Sequence, residues 1–189
     1  MSDLTINPNA DETTAGNAAY RANLEQFMRE AKAKESLPLA ILAGLISSIV
    51  AAIIWALITS VTHFQIGFMA IGVGFLVGYA VNFLGRGFGT IFGIVGAFFA
   101  LFGCLLGNLL TVIVSAAMTE GVPVMTILSA FLISPGIILE IFKETFSVMD
   151  LLFYAIAIYE GYRFAMRQIS DEEFAGLQGP KNAPTANNL

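Results

Sequence analysis

His63, Cys104, Asp150, Glu160 and Arg163 are the side chains in the apolar part of this chain that could do chemistry, with Asn82, Arg86 and Asn108 as polar neighbours. Their numbers and spacing exclude most of it. The chain has one histidine and one cysteine, whereas a Cys/His zinc site draws three or four such ligands, and a lone cysteine forms no intrachain disulfide. An intramembrane aspartyl protease needs two carboxylates brought together, but on one helix Asp150 and Glu160 would lie about 15 Å apart along the axis. A serine hydrolase needs a base beside its nucleophile; His63 is the only histidine, and no serine stands in a G-x-S-x-G setting. The GxGxxG-like run at 85–89, with Arg86 inside it, follows no strand and opens no βαβ unit, so it does not read as a nucleotide loop. The expectation is a non-enzyme without cofactor or metal.

The elements that must position these residues are membrane helices. Of 189 residues, 57% are hydrophobic and 12% charged, with mean hydropathy +0.77. Soluble domains carry about 25% charged residues. Between residues 37 and 119 the only charged side chain is Arg86. The net charge of −5 opposes nucleic acid, which selects a basic surface. The chain shows no heptad run, tandem repeat or low-complexity tract. Its polar, acidic start lacks a basic segment leading into an apolar one, so no cleavable signal peptide is expected and the first span serves as insertion signal.

About 20 apolar residues cross the hydrocarbon core, and the pattern predicts four spans, at about 38–61, 64–85, 88–115 and 145–166. Ser36 can cap the first, with Pro38 tolerated in its first turn. The third is long enough to tilt or project. The fourth is weaker, with Asp150 near one end and Glu160 and Arg163 near the other. Between the third and fourth, 122–144 is apolar but interrupted by Ser134-Pro135-Gly136 and carries Glu140. It reads as a broken interfacial or re-entrant helical segment on the outer side. Four spans with both termini in the cytoplasm place Arg21, Arg29, Lys32, Lys34, Arg86, Arg163, Arg167 and Lys181 inside and only Lys143 outside, as the positive-inside rule asks. The domains are therefore a cytoplasmic tail (1–36), a transmembrane domain (37–166) and a flexible cytoplasmic tail (167–189).

In the first tail, 1–14 reads as polar and disordered. Residues 17–35 suit an amphipathic juxtamembrane helix, with Tyr20, Leu24, Phe27, Met28 and Ala31 on one face and Arg29, Lys32 and Lys34 near lipid headgroups. Within the membrane the organising feature is glycine. Gly89, Gly93, Gly96, Ala100, Gly103 and Gly107 recur at alternating spacings of four and three in the third span, and Gly74 and Gly78 form a GxxxG pair in the second. Small residues let helix backbones approach closely in lipid, where the hydrophobic effect offers little between helices. Such a stripe serves packing within the chain, a homo-oligomer interface, or both.

Alternating the spans sets Asn82, Arg86, Glu160 and Arg163 toward the cytoplasmic side and His63, Asn108 and Asp150 toward the outer side. Ionisable residues at membrane depth are paired or mark a pathway; Glu160 and Arg163, three apart on one helix, suit pairing.

Three blocks, MAIGVGFLVGYA (69–80), GCLLGN (103–108) and MDLLFYAIAIYEGY (149–162), resemble a group of small, uncharacterised bacterial multi-span inner-membrane proteins of unknown function. The resemblance covers roughly 52–164. Some of that group carry a cysteine-rich, zinc-ribbon-like head, which this chain lacks. The resemblance implies a bacterial inner-membrane location and no activity. Together these readings predict an all-α integral membrane protein that self-associates in a structural or accessory role. Its partners would be the bilayer, copies of itself and an unidentified protein. The alternative is an oligomeric ion channel or small-solute transporter lined by Asp150, Glu160, Asn82 and Asn108.

Overall fold

A computed structural model describes residues 8–62, 68–133, 136, 143 and 148–177. Every regular element among them is helical. In chain order these are α1 (Pro8–Ala33), α2 (Leu37–Thr62), α3 (Phe68–Gly85), α4 (Thr90–Glu120), α5 (Val124–Ile133), α6 (Val148–Ala165) and α7 (Asp171–Leu177). Three of them, α2, α3 and α4, are long and apolar enough to cross a membrane. They coincide with the first three expected spans.

The chain divides into two compact units, one of Ser36–Arg167 and one drawing on Met1–Glu35 and Gln168–Leu189. In the first, α2, α3, α6 and α4 follow one another round a bundle, and α3 and α4 also touch across the diagonal. The bundle is apolar outside and small inside. On α2 the buried face is Ala40, Ala43, Gly44, Ser47, Ser48, Ala51, Ala52, Trp55, Ala56, Thr59 and Ser60. Its leucines and isoleucines, from Leu39 and Leu42 to Ile53 and Leu57, are exposed. Water would expel such a surface, and lipid tails accept it. The buried hydroxyls of Ser47, Ser48 and Ser60 donate to carbonyls three or four residues back, so none is left bare.

Each boundary has a local cause. Ser36 stands just before α2 and accepts the Ala40 N–H on its carbonyl (3.0 Å). Helix α4 runs 31 residues, five beyond the predicted end of the third span, because no glycine or proline interrupts it between Gly107 and Gly121. That glycine takes the left-handed conformation (φ 65°) and its N–H closes on the Ala117 carbonyl. Pro123 then opens α5, whose 10 residues span about 15 Å, too short to cross. Of the rest of the expected outer segment, Gly136 and Lys143 are described, and Glu140 lies outside the described residues.

The second unit corrects two expectations. Helix α1 begins at Pro8, inside the stretch read as disordered; proline's fixed φ fits a first helical turn. In the tail read as flexible, α7 forms behind a reciprocal cap. The Ser170 N–H donates to Glu173 Oε2 (3.0 Å) and the Glu173 N–H to Ser170 Oγ (3.2 Å). Helix α7 packs on α1, where Asn23 Nδ2 donates to the Leu177 carbonyl (3.5 Å). Tyr20, Leu24 and Phe27 are half-buried and Ala31 buried as their spacing predicts, but Met28 is exposed.

Candidate functional site

The glycines face neighbouring helices of the same chain. A methyl added at Gly74 would lie 2.6 Å from the Ala157 carbonyl oxygen, and one at Gly78 would lie 2.8 Å from Phe164 Cβ, so α3 rests on α6 through this pair. Along α4 the stripe serves three partners. At Gly93 the added atom would meet the Tyr162 ring at 2.7 Å, and at Gly96 it would collide with the Gly161 carbonyl and Ala165, both on α6. At Gly103 it would meet Val73 Cγ1 of α3 at 2.9 Å and Ser48 Cβ of α2 at 3.3 Å, and at Gly107 the Trp55 ring of α2 at 3.2 Å. The stripe therefore rotates from α6 to α2 along α4. Gly89 does not belong to it: it is the α4 N-cap, in extended backbone, and a methyl there would meet only Ile91 and Phe92 of its own helix at 3.7 Å and beyond.

Gly161 was missing from the sequence reading. A methyl there would lie 2.7 Å from both Ala100 Cβ and the Gly96 carbonyl, so the two helices cross glycine to glycine. Its signal was available in Ala157, Gly161 and Ala165, small residues four apart on α6.

The polar residues gather at two places. At one end of the bundle, Asn82 of α3 turns its amide onto the end of α6 and donates to the carbonyls of Phe164 (3.0 Å) and Met166 (3.1 Å). It supplies from another helix the partners that the last carbonyls lack. Around it the backbone is stitched across elements: the Ser36 N–H donates to the Gly85 carbonyl (3.0 Å) and the Arg167 N–H to the Gly87 carbonyl (2.9 Å). Phe92 is buried beneath this loop, and its ring occupies the space a side chain at Gly87 would need. The Arg167 guanidinium lies over the Phe88 ring, 4.9 Å from its centroid. Arg86 ends α3 with its N–H on the Asn82 carbonyl (2.9 Å), and its φ of 52° is the left-handed conformation seldom taken by a residue with a side chain.

On α6, Arg163 is exposed and Glu160 half-buried. Among the described residues no ion pair joins them; Arg163 Nη1 reaches the Tyr159 hydroxyl at 3.5 Å. The Glu160 stem lies instead beside Gly74 of α3. Toward the other end, Asn108 of α4 donates through Nδ2 to the Tyr154 hydroxyl of α6. Asp150 is half-buried one turn before Tyr154. His63 lies outside the described residues.

Two further polar atoms were not anticipated. Trp55 Nε1 and Thr59 Oγ1, one turn apart on α2, are buried with no hydrogen-bond partner. The bundle also carries an apolar groove of about 360 Å³ between α2 and α3, walled by Ala51, Ile54, Phe68, Gly72 and Phe75. In the other unit a smaller, polar cleft of about 280 Å³ lies between α1 and α7, bounded by Asn23, Phe27, Glu30, Glu173 and Leu177. No three His, Cys, Asp or Glu side chains come within reach of a common metal ion among the described residues.

Among the described residues every regular element is helical, and three helices are long and apolar enough to cross a membrane. No protein-family model matches it. No curated protein and no solved structure matches it either.

Proposed function

We propose that this chain is a self-associating structural or accessory protein of the bacterial inner membrane, crossing it four times with both termini in the cytoplasm. The packing of α1 on α7 carries the topology. These helices flank the bundle in sequence and touch each other, so they share one side of the membrane and the crossings between them are even in number. The three helices long and apolar enough to cross then require a fourth. Helix α6 has 18 residues, about 27 Å, and packs against α3 and α4 along its length.

The accessory role follows from how the polar residues are engaged. Asn82 holds the end of α6 and Asn108 holds Tyr154, both joining one helix to another. The α4 glycines are occupied inside the protomer, so self-association uses the exposed aliphatic faces instead. Native mass spectrometry of the tagged full chain in mild detergent tests this reading. A discrete homo-oligomer, with or without a stoichiometric second protein, is expected; a monomer alone overturns self-association. Fusing a reporter of cytoplasmic location to each terminus tests the topology, and opposite signals at the two ends would refute it.

A second reading, an oligomeric channel or small-solute transporter, is favoured by one observation. Trp55 Nε1 and Thr59 Oγ1 are buried without partners, as expected where a polar solute or water completes a site. Liposome flux distinguishes it: transport that falls in Asp150→Asn or Glu160→Gln would replace the accessory reading.

A further inference from the structure

We infer that the stitched end of the bundle binds the phosphate headgroup of an anionic phospholipid between Arg86, Arg163 and Arg167. The inference rests on the membrane reading above, which places this end at the bilayer surface, but not on self-association. Three observations converge on it.

The first is placement. The Arg167 N–H is bonded to the Gly87 carbonyl, which sets Arg167 beside the residue following Arg86. Arg163 stands one helical turn earlier on α6 and is exposed, as is Arg86. Two segments far apart in sequence thus meet at one end of the bundle, with Arg167 set beside Gly87 by a backbone hydrogen bond and Arg163 one turn back on α6.

The second is that Arg86 and Arg163 are not engaged with acids. No ion pair holds either of them among the described residues, and Arg163 has only the distant Tyr159 hydroxyl. The carboxylate nearest in sequence, Glu160, is half-buried with its stem against α3. Nor are the arginines needed to finish the helices. Asn82 already satisfies the Phe164 and Met166 carbonyls, and α3 is closed by the Arg86 backbone N–H.

The third is the backbone of Arg86. It stands between Gly85 and Gly87, yet the left-handed position is filled by arginine and not by glycine (φ 52°). Backbone strain kept at a site where glycine is the easy choice points to a use for the side chain. An arginine fork matches the paired oxygens of a phosphodiester, and its long stem reaches the headgroup level from the end of a span. The exposed rings of Phe75 and Tyr79, packed with Phe164 (centroids 4.8 and 5.2 Å from it), line the adjacent lipid-facing surface of α3 and α6. They offer an apolar wall for the acyl chains below.

The test uses the full chain, delipidated and then offered equimolar phosphatidylglycerol and phosphatidylcholine, with retained lipid read by native mass spectrometry. Wild type is expected to keep phosphatidylglycerol at least tenfold over phosphatidylcholine. An R86Q/R163Q/R167Q variant is expected to lose that preference, and an R21Q/R29Q variant to keep it. Arg86→Gly removes one guanidinium while easing the backbone. It is expected to lower retention about threefold with melting unchanged or raised, so a loss there is not a folding defect. Equal retention by wild type and the triple variant overturns the inference, as does equal retention of both lipids by wild type. Inorganic phosphate at millimolar concentration should neither bind the lipid-free protein nor displace phosphatidylglycerol; if it does both, the site is one for free phosphate. Copy number is read in the same spectra, so a monomer that still selects phosphatidylglycerol refutes self-association and leaves the lipid site standing.

Discussion

At one end of the bundle Asn82 holds the Phe164 and Met166 carbonyls while Ser36 and Arg167 donate their N–H groups to the 85–87 loop. Toward the other end Trp55 Nε1 and Thr59 Oγ1 are buried with nothing to bond, and Asn108 donates to the Tyr154 hydroxyl, side chain to side chain. The first arrangement ties together backbone from three places in the sequence. In the second, the Asn108–Tyr154 bond joins α4 to α6 through side chains and two polar atoms of α2 go unused. Polar groups removed from solvent stabilise only when satisfied, so the stitched end is the rigid part of the bundle and the Trp55 region the part able to change. Function that needs movement, or a bound solute, belongs in the latter; surface recognition that needs fixed geometry belongs in the former.

The contrast can be broken most severely by Gly96→Leu, which forces a side chain into the Gly161 carbonyl of α6. Overpacking of this kind costs about 3 kcal/mol or more, and denaturant titration in mixed micelles followed by circular dichroism should show it. Gly72→Leu, where an added atom meets nothing within 4 Å, should change stability by less than about 0.5 kcal/mol. If both glycines respond alike, the helix crossing is not where the structure places it.

Asn82→Ala comes next. It strips two carbonyls of their donor and should cost about 2 kcal/mol, read in the same titration. An unchanged midpoint would mean that the stitched end is no more rigid than the rest. Trp55→Phe should move the other way, gaining about 1 kcal/mol by removing a buried N–H that has no acceptor. A loss instead would show that water or a solute occupies the site, which sharpens the contrast into a hydrated half and a dry one. The smallest effect is expected from Tyr154→Phe, a loss of about 0.6 kcal/mol, typical of one side-chain hydrogen bond between membrane helices.

What the sequence made readable was whatever depends on neighbours along the chain. The apolar run of the first span ends within one residue of α2 at both sides, because Ser36 before it and the polar corner after it are local signals. The small-residue period on α4 likewise marks a face that meets other helices. It could not say which helices, since the change from α6 at Gly96 to α2 at Gly107 depends on how the bundle closes. Asn82 illustrates the same limit: its partners lie more than 80 residues away, and no spacing rule connects them. Gly89 was misassigned because it continues the period numerically while standing one residue before the helix begins. The α7 cap was a different kind of miss. Ser170 and Glu173 have the spacing of a reciprocal cap, but the composition of the residues beyond them dominated the reading of the tail.

The pairing of α1 with α7 also sets a timetable. Asn23 and the Leu177 carbonyl that it bonds are separated by 154 positions. At about 5–20 residues per second of synthesis, α1 exists for roughly 8–30 s before its partner helix has been made. Throughout that interval Phe27 faces no α7, while the intervening helices are threaded into place. The unit containing the first helix is thus among the last to be completed, and a chain interrupted before Ser170 leaves α1 without its partner, a visible sign that synthesis has not run its course.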